Sequence, residues 1–510
     1  MRLVSGFFTV GFWTLASRVL GFLRDVLIAS YLGTGVVHQA FVAAFTLPNL
    51  FRRFFAEGAF NMAFVPMFSK KLEAGEDAQG FASDAFSALA AILLLLTLVA
   101  QLIMPWMIFA QVAGFSGTEK FDLAVAFGRV AFPYIIFISL AALLSGVLNS
   151  AGRFAAAAAA PVLLNILVIA AILLAAWRGW PIGWALIWVV PLAGIAQMAI
   201  VWWAAKRAGF AIGFRWPRWT PELTRLAKIA APAALAGGVV QINLVVGRQV
   251  ASQFDGAISW LYNADRLYQL PLGVVGIAIG IVLLPELSRR LQAGDTATGQ
   301  AALSRAGEMA LVLTVPSAVA LLLVPLPLVS VLFERGLFTA DDTDKTALAV
   351  AIYGLGLPAF VLQKVVQPLY FAREDTRTPF RYALVAMVVN AVIAIGLAPF
   401  VGYIAAALAT TIAGWAMLAL LWLGARRMGE AARFDTRFRR RAWRTVAASG
   451  LMGAVLWGVN LLIGPMFGFE GWRYLALVLM VGAGMISYGL FGQMLGAFRL
   501  SDFRAAVRRG

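Results

Sequence analysis

The feature that most constrains the fold is a series of apolar segments, each about 20 residues long, that recurs along the whole chain. A spanning helix needs this length to cross a hydrocarbon core of about 30 Å. Of the 510 residues, 62% are hydrophobic and 13% are charged, a composition that excludes a soluble globular protein. Because lipid cannot satisfy backbone polar groups, such segments form helices. The sequence therefore predicts an all-α polytopic membrane protein.

Fourteen hydrophobic helices are predicted, starting near residues 4, 35, 82, 122, 155, 181, 226, 258, 303, 345, 380, 402, 445 and 472. The first is not a cleavable signal peptide, because Arg18, Arg24 and Asp25 lie in its body. Basic residues concentrate in the loops near 206–228 and 426–444 and in the C-terminal tail. By the positive-inside rule, both termini are expected in the cytoplasm, which requires an even number of spans.

The chain repeats itself at a nearly constant distance. The segment LAVAFGRVAFP (123–133) matches LAVAIYGLGLP (348–358), and Asn165 and Asn390 have the same separation. We therefore predict an N-lobe of helices 1–6 (1–221), a C-lobe of helices 7–12 (222–430), and a third region (431–510) with helices 13 and 14 and a basic tail. Six spans per copy make the repeat parallel, an arrangement typical of transporters with a substrate site between the halves.

Eight basic residues lie inside the apolar segments, against three clear acids, Asp25, Glu57 and Asp265. A charge at the bilayer centre costs about 2.5–3.5 kcal/mol on insertion scales. The surplus predicts a hydrated, positive cavity that receives an anion; the alternative is that helix ends and snorkelling accommodate every charge. The eight are Arg18, Arg24, Arg52, Arg53, Arg129, Arg248, Arg266 and Lys364.

In SRVLGFLRD (17–25), helical geometry places Arg18 and Asp25 on one stripe. Arg24 points about 120° away from Arg18 unless Gly21 allows a bend, and Asp25 is expected to pair with one of the two arginines.

In LPNLFRRFFAEGAF (47–60), Pro48 is expected to break the helix. Arg53 and Glu57 are spaced as an i,i+4 pair, which leaves Arg52 as the better ligand. In ADRLYQLPLG (264–273), Asp265 and Arg266 are adjacent and cannot both face one groove.

Several arginines around one cavity suit phosphate, because guanidinium is a planar fork of donors that stays charged. No cofactor is expected: there is no cysteine, one histidine (His38), and no GxxxxGK[ST] loop for ATP. The acids Asp341, Asp342 and Asp344 are interpreted as a solvated loop. The net charge of +17 sits mainly in short loops, which favours anionic membrane lipids over nucleic acid as a partner.

The motifs SRVLGFLRD, LPNLFRRFFAEGAF with FVP (64–66), and YNADRLYQLPLG (262–273) resemble the MurJ (MviN) family of lipid II flippases, within the multidrug/oligosaccharidyl-lipid/polysaccharide exporter superfamily. The resemblance covers essentially the whole chain. It implies fourteen helices, two of them forming a groove for the polyprenyl tail. It also implies a substrate site at Arg18, Arg24, Arg52 and Arg266, supported by Asp25, Arg53, Glu57, Asp265, Pro48 and Gly21. Gln39 and Gln269 stand where relatives carry acids, which places any ion-coupling role there in doubt.

The resemblance implies a non-enzymatic, alternating-access flippase for lipid II in the bacterial cytoplasmic (inner) membrane. The energy source would be the membrane potential or an ion gradient, and other cell-wall synthesis proteins would be further partners. The alternatives are a flippase for another lipid-linked oligosaccharide of the O-antigen type, a cation-coupled drug exporter, and a membrane glycosyltransferase that needs an acid in an outward loop.

Overall fold

The computed structural model describes residues 2–55, 59–216, 218–292, 295–373, 375–469 and 471–498. Over these ranges the chain forms seventeen α-helices and no β-strand, which confirms the all-α prediction. The helices are α1 (Arg2–Leu32), α2 (Val36–Phe55), α3 (Ala59–Glu73), α4 (Ala78–Val112), α5 (Glu119–Ala131), α6 (Tyr134–Ser150), α7 (Ala155–Arg178), α8 (Ile182–Arg207), α9 (Pro221–Ala251), α10 (Ala257–Gln292), α11 (Thr296–Leu323), α12 (Pro325–Phe333), α13 (Ala340–Phe371), α14 (Arg377–Val401), α15 (Ile404–Ala425), α16 (Thr436–Ile463) and α17 (Trp472–Met494).

Polar residues in the loops determine where several helices begin. Asp77 Oδ1 accepts a hydrogen bond from the Gly80 amide at 2.7 Å at the start of α4, and Asp435 Oδ1 accepts one from the Phe438 amide at 2.7 Å at the start of α16. Thr339 opens α13 with a complete capping box. Such caps satisfy amides that have no partner within the helix.

The predicted helices correspond closely to the observed ones, with two kinds of difference. Two predicted helices are each divided in two: α5 and α6 flank Phe132–Pro133, and α11 and α12 flank Val324. Residues 56–58, between α2 and α3, lie outside the described ranges. In addition, α16 begins at Thr436 rather than near 445, because its first turns are basic and only its later turns are apolar. The count of fourteen membrane crossings stays a prediction.

The expected break at Pro48 is wrong, since α2 continues through this residue to Phe55. The expected bend at Gly21 does not interrupt its helix either, because α1 is continuous from Arg2 to Leu32.

Among the described residues, ten helical segments are long and apolar enough to cross a membrane. Their exposed faces carry large apolar side chains, which are unfavourable in contact with water: Leu102 is 75% exposed and Leu462 is 81% exposed. The chain is therefore a multi-pass membrane protein.

The first of two compact units comprises residues 1–259 and 335–338. Within it, α7 packs against α1 and α8, α6 packs against α8, and α9 packs against α3 and α4. The lobe boundary predicted at 221/222 rests on the sequence repeat and stays a prediction. The contacts group α9, which follows that boundary, with the helices before it.

The second unit comprises residues 260–334 and 339–510. Here α13 packs against α11 and α15, α14 packs against α15, and α16 packs against α11 and α17. Glu308 on α11, 7% exposed, holds the start of α16 through Arg441 at 3.1 Å and Arg437 at 3.5 Å, and it also pairs with Arg305 at 3.0 Å. The buried carboxylate of Glu308 thus neutralises two arginines, Arg437 and Arg441, of the basic loop near 426–444.

Candidate substrate site

Arg24 and Asp25 form a buried ion pair on α1. Arg24 is 9% exposed and Asp25 is 2% exposed. Asp25 Oδ1 accepts hydrogen bonds from Arg24 Nη2 at 2.7 Å and Nε at 3.0 Å. The expectation that Asp25 pairs with one of the two arginines of SRVLGFLRD is therefore confirmed for Arg24.

Asn165 of α7 completes this arrangement. Its Oδ1 accepts a hydrogen bond from Arg24 Nη1 at 3.0 Å, and its Nδ2 donates to the Ser17 carbonyl at 2.9 Å. A Cβ on Gly21 would lie 3.4 Å from Asn165 Nδ2, so glycine at this position lets α7 approach α1 closely. Gly21 therefore supports Arg24 through packing. The sequence marked Asn165 only as a position shared by the two copies of the repeat.

Arg18 lies on the same helix as Arg24, but its side chain has different surroundings. It is half-buried, and within the described part of the chain no hydrogen bond or ion pair involves it. Of the two arginines in SRVLGFLRD, Arg18 therefore has the guanidinium that the fold leaves for a ligand.

Arg52 lies near the end of α2 and is half-buried. The neighbouring Phe51 packs edge-to-face on Phe132 at 5.3 Å, which fixes this turn of the helix against the start of α6. The proposed Arg53–Glu57 pair lies outside what the structure describes, since Glu57 and the side chain of Arg53 are not included.

Arg266 belongs to α10 in the second unit. Its guanidinium lies over the ring of Tyr262, 4.6 Å from the centroid, and Asp265 accepts a hydrogen bond from Gln269. In the same motif, Asn263 is fully buried, and neither atom of its amide has a hydrogen-bond partner within the described residues. No pattern in the sequence selects Asn263, which lies three residues before Arg266 on the same helix.

Arg18, Arg24 and Arg52 thus belong to the first unit and Arg266 belongs to the second. Their convergence on one cavity stays a prediction. Among the remaining cations of the apolar segments, Arg129 is exposed and donates from Nε to the Gln101 carbonyl at 3.3 Å. Arg248 is half-buried and Lys364 is exposed.

Gln39, in the first turns of α2, contributes to a polar cluster with loop residues. Its Nε2 donates to the Thr34 carbonyl at 3.0 Å and to Asp255 Oδ1 at 3.1 Å, and Lys120 Nζ lies 2.6 Å from the same oxygen. Lys120 first, and then Gln39, hold the pKa of Asp255 below its usual range, so Asp255 is ionised at neutral pH. Gln39 therefore has a structural partner here.

The interpretation of Asp341, Asp342 and Asp344 as a solvated loop is wrong, because all three lie in the first turns of α13 and Asp342 is buried. Asp342 is 6% exposed and accepts hydrogen bonds from the Thr339 amide at 2.9 Å and from Trp260 Nε1 at 2.8 Å, while Asp341 pairs with Lys345. In the described ranges, no group of three or more His, Cys, Asp or Glu residues could hold a metal ion.

The all-α fold with cations on its apolar helices defines a class, that of polytopic membrane transporters for anionic substrates. The family model described as "Lipid II flippase MurJ" matches residues 28–479. The chain belongs to this family, and the resemblance read from its motifs is confirmed. The family comprises flippases, so the chain is a transporter and not an enzyme.

Two relatives named "Probable lipid II flippase MurJ" are similar over most of their length. The Rhizobium tropici protein is 46% identical, with 89% of this chain and 87% of the relative covered. The Rhizobium meliloti (strain 1021) protein is 45% identical, with 100% and 97% covered.

Two solved structures are also similar. The structure described as "Lipid II flippase MurJ, inward closed conformation" has a TM-score of 0.80 at 27% identity and covers 95% of this chain and 98% of its own. An inward-facing multidrug resistance MATE family transporter of the MOP superfamily has a TM-score of 0.68 at 13% identity, over 81% of this chain and 95% of its own, which shows a shared fold alone.

Proposed function

We propose that the protein moves lipid II, the undecaprenyl-pyrophosphate-linked peptidoglycan precursor, from the inner to the outer leaflet of the cytoplasmic membrane. The observation that carries this proposal is family membership over nearly the whole chain, together with arginines on membrane helices. Guanidinium groups suit a pyrophosphate because they pair with its oxygens through two parallel hydrogen bonds.

The four arginines have different roles in this proposal. Arg18, Arg52 and Arg266 bind the pyrophosphate directly. Arg24 is fixed by Asp25 and Asn165, so it contributes its positive charge from a set position on α1. A preorganised charge binds an anion with less loss of side-chain freedom than a mobile one.

The experiment measures lipid II in the outer leaflet of cells that are depleted of their own flippase and supplied with this protein. We expect restored outer-leaflet lipid II. If the protein is stably expressed in the membrane and restores none, the substrate is another lipid-linked oligosaccharide and this proposal is wrong.

The proposed energy source is the membrane potential, worth about 2.3 kcal/mol per charge per 100 mV. An inside-negative potential drives an anionic headgroup outward and returns an empty, positive site toward the cytoplasm. An ion gradient is the alternative. In proteoliposomes, an imposed potential should accelerate transport, and acceleration by a sodium or proton gradient alone would favour the alternative.

Anionic membrane lipids are the proposed second partner, at a cavity of about 270 Å³ in the second unit. Arg426, Arg433 and Arg439 line it beside Trp422 and Phe434. Unlike the guanidinium groups held by Glu308, the side chains of these three form no hydrogen bond or ion pair within the residues described. Three positive charges without an acid suit a lipid phosphate at the cytoplasmic surface.

Replacing Arg433 and Arg439 with glutamine should weaken binding of phosphatidylglycerol by about 30-fold, because each arginine near such a surface contributes about 1 kcal/mol. Native mass spectrometry of the purified protein with phosphatidylglycerol measures this. The matched control replaces Arg427 and Arg440, which are equally exposed but do not line the cavity. Equal losses in both double variants would show that general surface charge, rather than the cavity, attracts the lipid.

This proposal places the basic loop and both termini in the cytoplasm. The chain has no cysteine, so a single cysteine introduced at Arg427 should react with an impermeant reagent in inverted vesicles and not in intact cells. Reaction in intact cells would reverse the orientation. Contact with other cell-wall synthesis proteins stays a prediction.

A further inference from the structure

The segment between α8 and α9, residues 208–220, carries aromatic and basic side chains that the transport site does not use. The structure describes 208–216 and 218–220 of this segment, which we call the strap. Five of its residues are exposed and either aromatic or basic: Phe214, Arg215, Trp216, Arg218 and Trp219. We call these five residues the strap patch. Trp216 is 86% exposed and Trp219 is 65% exposed, so the first unit covers neither indole.

The first half of the strap is fixed to the helices of the first unit. Trp202 Nε1 of α8 donates a hydrogen bond to the Ile212 carbonyl at 2.9 Å, and the side chain of Ile212 is buried. Further along, the Arg215 amide donates to Ser87 Oγ of α4 at 2.8 Å. The strap therefore lies across the first turns of α4 in a defined position, while its aromatic and basic side chains remain exposed.

The second half of the strap ends in the N-terminal cap of α9. Thr220 Oγ1 accepts a hydrogen bond from the Leu223 amide at 3.2 Å. In the next turn, Glu222 pairs with Lys71 of α3 at 3.0 Å. Both ends of the strap are thus attached to the same compact unit, and the strap patch lies between the two attachments.

The strap patch keeps its positive charge. Within the part of the chain that the structure describes, the side chains of Arg215 and Arg218 form no hydrogen bond or ion pair. At the end of α8, the guanidinium of Arg207 lies over the ring of Trp203, 4.1 Å from the centroid, and both side chains are exposed. Exposed indoles and guanidinium groups therefore occur together at this end of the first unit.

The strap lies close to the level at which α4 becomes apolar on its exposed face. Ile92 is the first large apolar residue of α4 with an exposed side chain, and it lies about 7.5 Å beyond Ser87 along the helix. Tryptophan is enriched where lipid headgroups meet hydrocarbon, because its ring is apolar and its N–H is polar. Arginines near an anionic leaflet are attracted to the lipid phosphates. The side chains of the strap patch match both layers.

We infer that the strap patch is a membrane anchor: Trp216 and Trp219 enter the boundary between headgroups and hydrocarbon, and Arg215 and Arg218 bind the phosphates of anionic lipids. Interfacial segments bury their apolar faces about 5–10 Å deep, which an indole on a surface strap can reach. Because the backbone is already fixed, little conformational freedom is lost on binding. The inference does not depend on lipid II as the substrate, and the proposed orientation decides only that the leaflet is the cytoplasmic one.

The first test measures the depth of the strap. The chain has no cysteine, so Gly213→Cys introduces a single site for a nitroxide label; a Cβ there would have no atom within 4 Å, and all five patch residues are kept. The protein is placed in liposomes of equal parts phosphatidylethanolamine and phosphatidylglycerol. We expect the label to be several-fold less accessible to a water-soluble nickel chelate than a label at Glu73→Cys, on the exposed end of α3.

The second test removes the indoles. In the Gly213→Cys chain, the double variant Trp216→Ser/Trp219→Ser should raise the accessibility of the label to nickel several-fold, because the strap no longer enters the boundary. Folding should be unchanged, since both side chains are exposed. The matched control is Trp177→Ser/Trp188→Ser, which removes two exposed indoles of the same unit from α7 and α8. The control should leave the label where it is in the parent.

The third test removes the charges. Arg215→Gln/Arg218→Gln should move the label toward water in the phosphatidylglycerol liposomes and have no effect in liposomes of phosphatidylcholine alone. The matched control is Lys70→Gln/Arg153→Gln, two exposed cations near the ends of α3 and α6. These ends lie together, since Ser69 Oγ and Ser150 Oγ are 3.0 Å apart. Equal shifts in both double variants would show that general surface charge sets the depth, which would overturn the role of the strap arginines.

The remaining outcomes are equally decisive. A parent label at Gly213→Cys that is as accessible to nickel as the label at Glu73→Cys would overturn the anchor. If that label is accessible in liposomes but protected in native membranes, a protein covers the strap patch, and lipid is the wrong partner. Depth is measured without substrate, so an anchored strap in a chain that moves no lipid II would contradict the proposed substrate and leave the anchor established.

Discussion

Replacing Arg18 with alanine is expected to reduce lipid II transport by at least about 100-fold and to leave folding unchanged. Hydrogen bonds to charged groups contribute about 1.5–3 kcal/mol each, and a two-point contact with a pyrophosphate loses both. Folding should not suffer, because no hydrogen bond or ion pair within the described residues depends on Arg18. Outer-leaflet lipid II and the amount of protein in the membrane are the two measurements.

Arg129→Ala is the matched control for this prediction. It removes the same charge from another apolar segment, but Arg129 is exposed and donates to the Gln101 carbonyl. Its transport should remain close to that of the parent. If both variants lose transport equally, positive charge in the membrane helices matters in general, and Arg18 has no special role. If Arg18→Ala is not expressed, Arg18 is a structural residue.

Replacing Asp25 with alanine is expected to destabilise the protein by about 3–5 kcal/mol, because it leaves the buried Arg24 without its counter-charge. Asn165 would keep one hydrogen bond to Arg24, but an amide cannot neutralise a guanidinium. Thermal unfolding of the purified protein in detergent measures the effect as a lower midpoint.

The double variant Arg24→Ala/Asp25→Ala separates stability from transport. Removing both charges removes the unpaired buried cation, so the midpoint should recover most of its loss while transport stays low. A double variant as unstable as Asp25→Ala alone would show that packing, and not charge pairing, explains the destabilisation. Normal transport by the double variant would exclude Arg24 from the substrate site.

Much of the fold could be predicted because helix length and hydrophobicity are local properties. The starts of α2, α5, α7 and α8 lie within a few residues of their predicted positions. The error at Pro48 arose because a proline removes one hydrogen bond, and the rest of α2 is stable enough to continue through it. The divided helices have no equally local signal: Pro133 lies at a break, whereas Pro358, its counterpart in the repeat, lies inside α13.

The residue types of the candidate site could be predicted from the sequence, but the partners of each side chain could not. Arg18 and Arg24 belong to the same motif, yet the side chain of Arg18 is half-buried without a partner among the described residues, whereas Arg24 is buried and held by Asp25 and Asn165. Asn165 is 141 residues from Arg24, so no spacing rule links them. Among the arginines of the basic loop, Glu308 of a distant helix decides which are neutralised.

The sequence by itself determined that this protein is an all-α membrane protein, that its apolar helices carry surplus positive charge, and that it belongs with the lipid II flippases. These conclusions follow from composition, periodicity and short motifs, which do not depend on how helices approach one another. Only the tertiary structure decided that Asn165 holds Arg24, and that Glu308 holds Arg437 and Arg441. Both depend on distances of a few ångströms between residues far apart in the chain, and packing alone sets those distances.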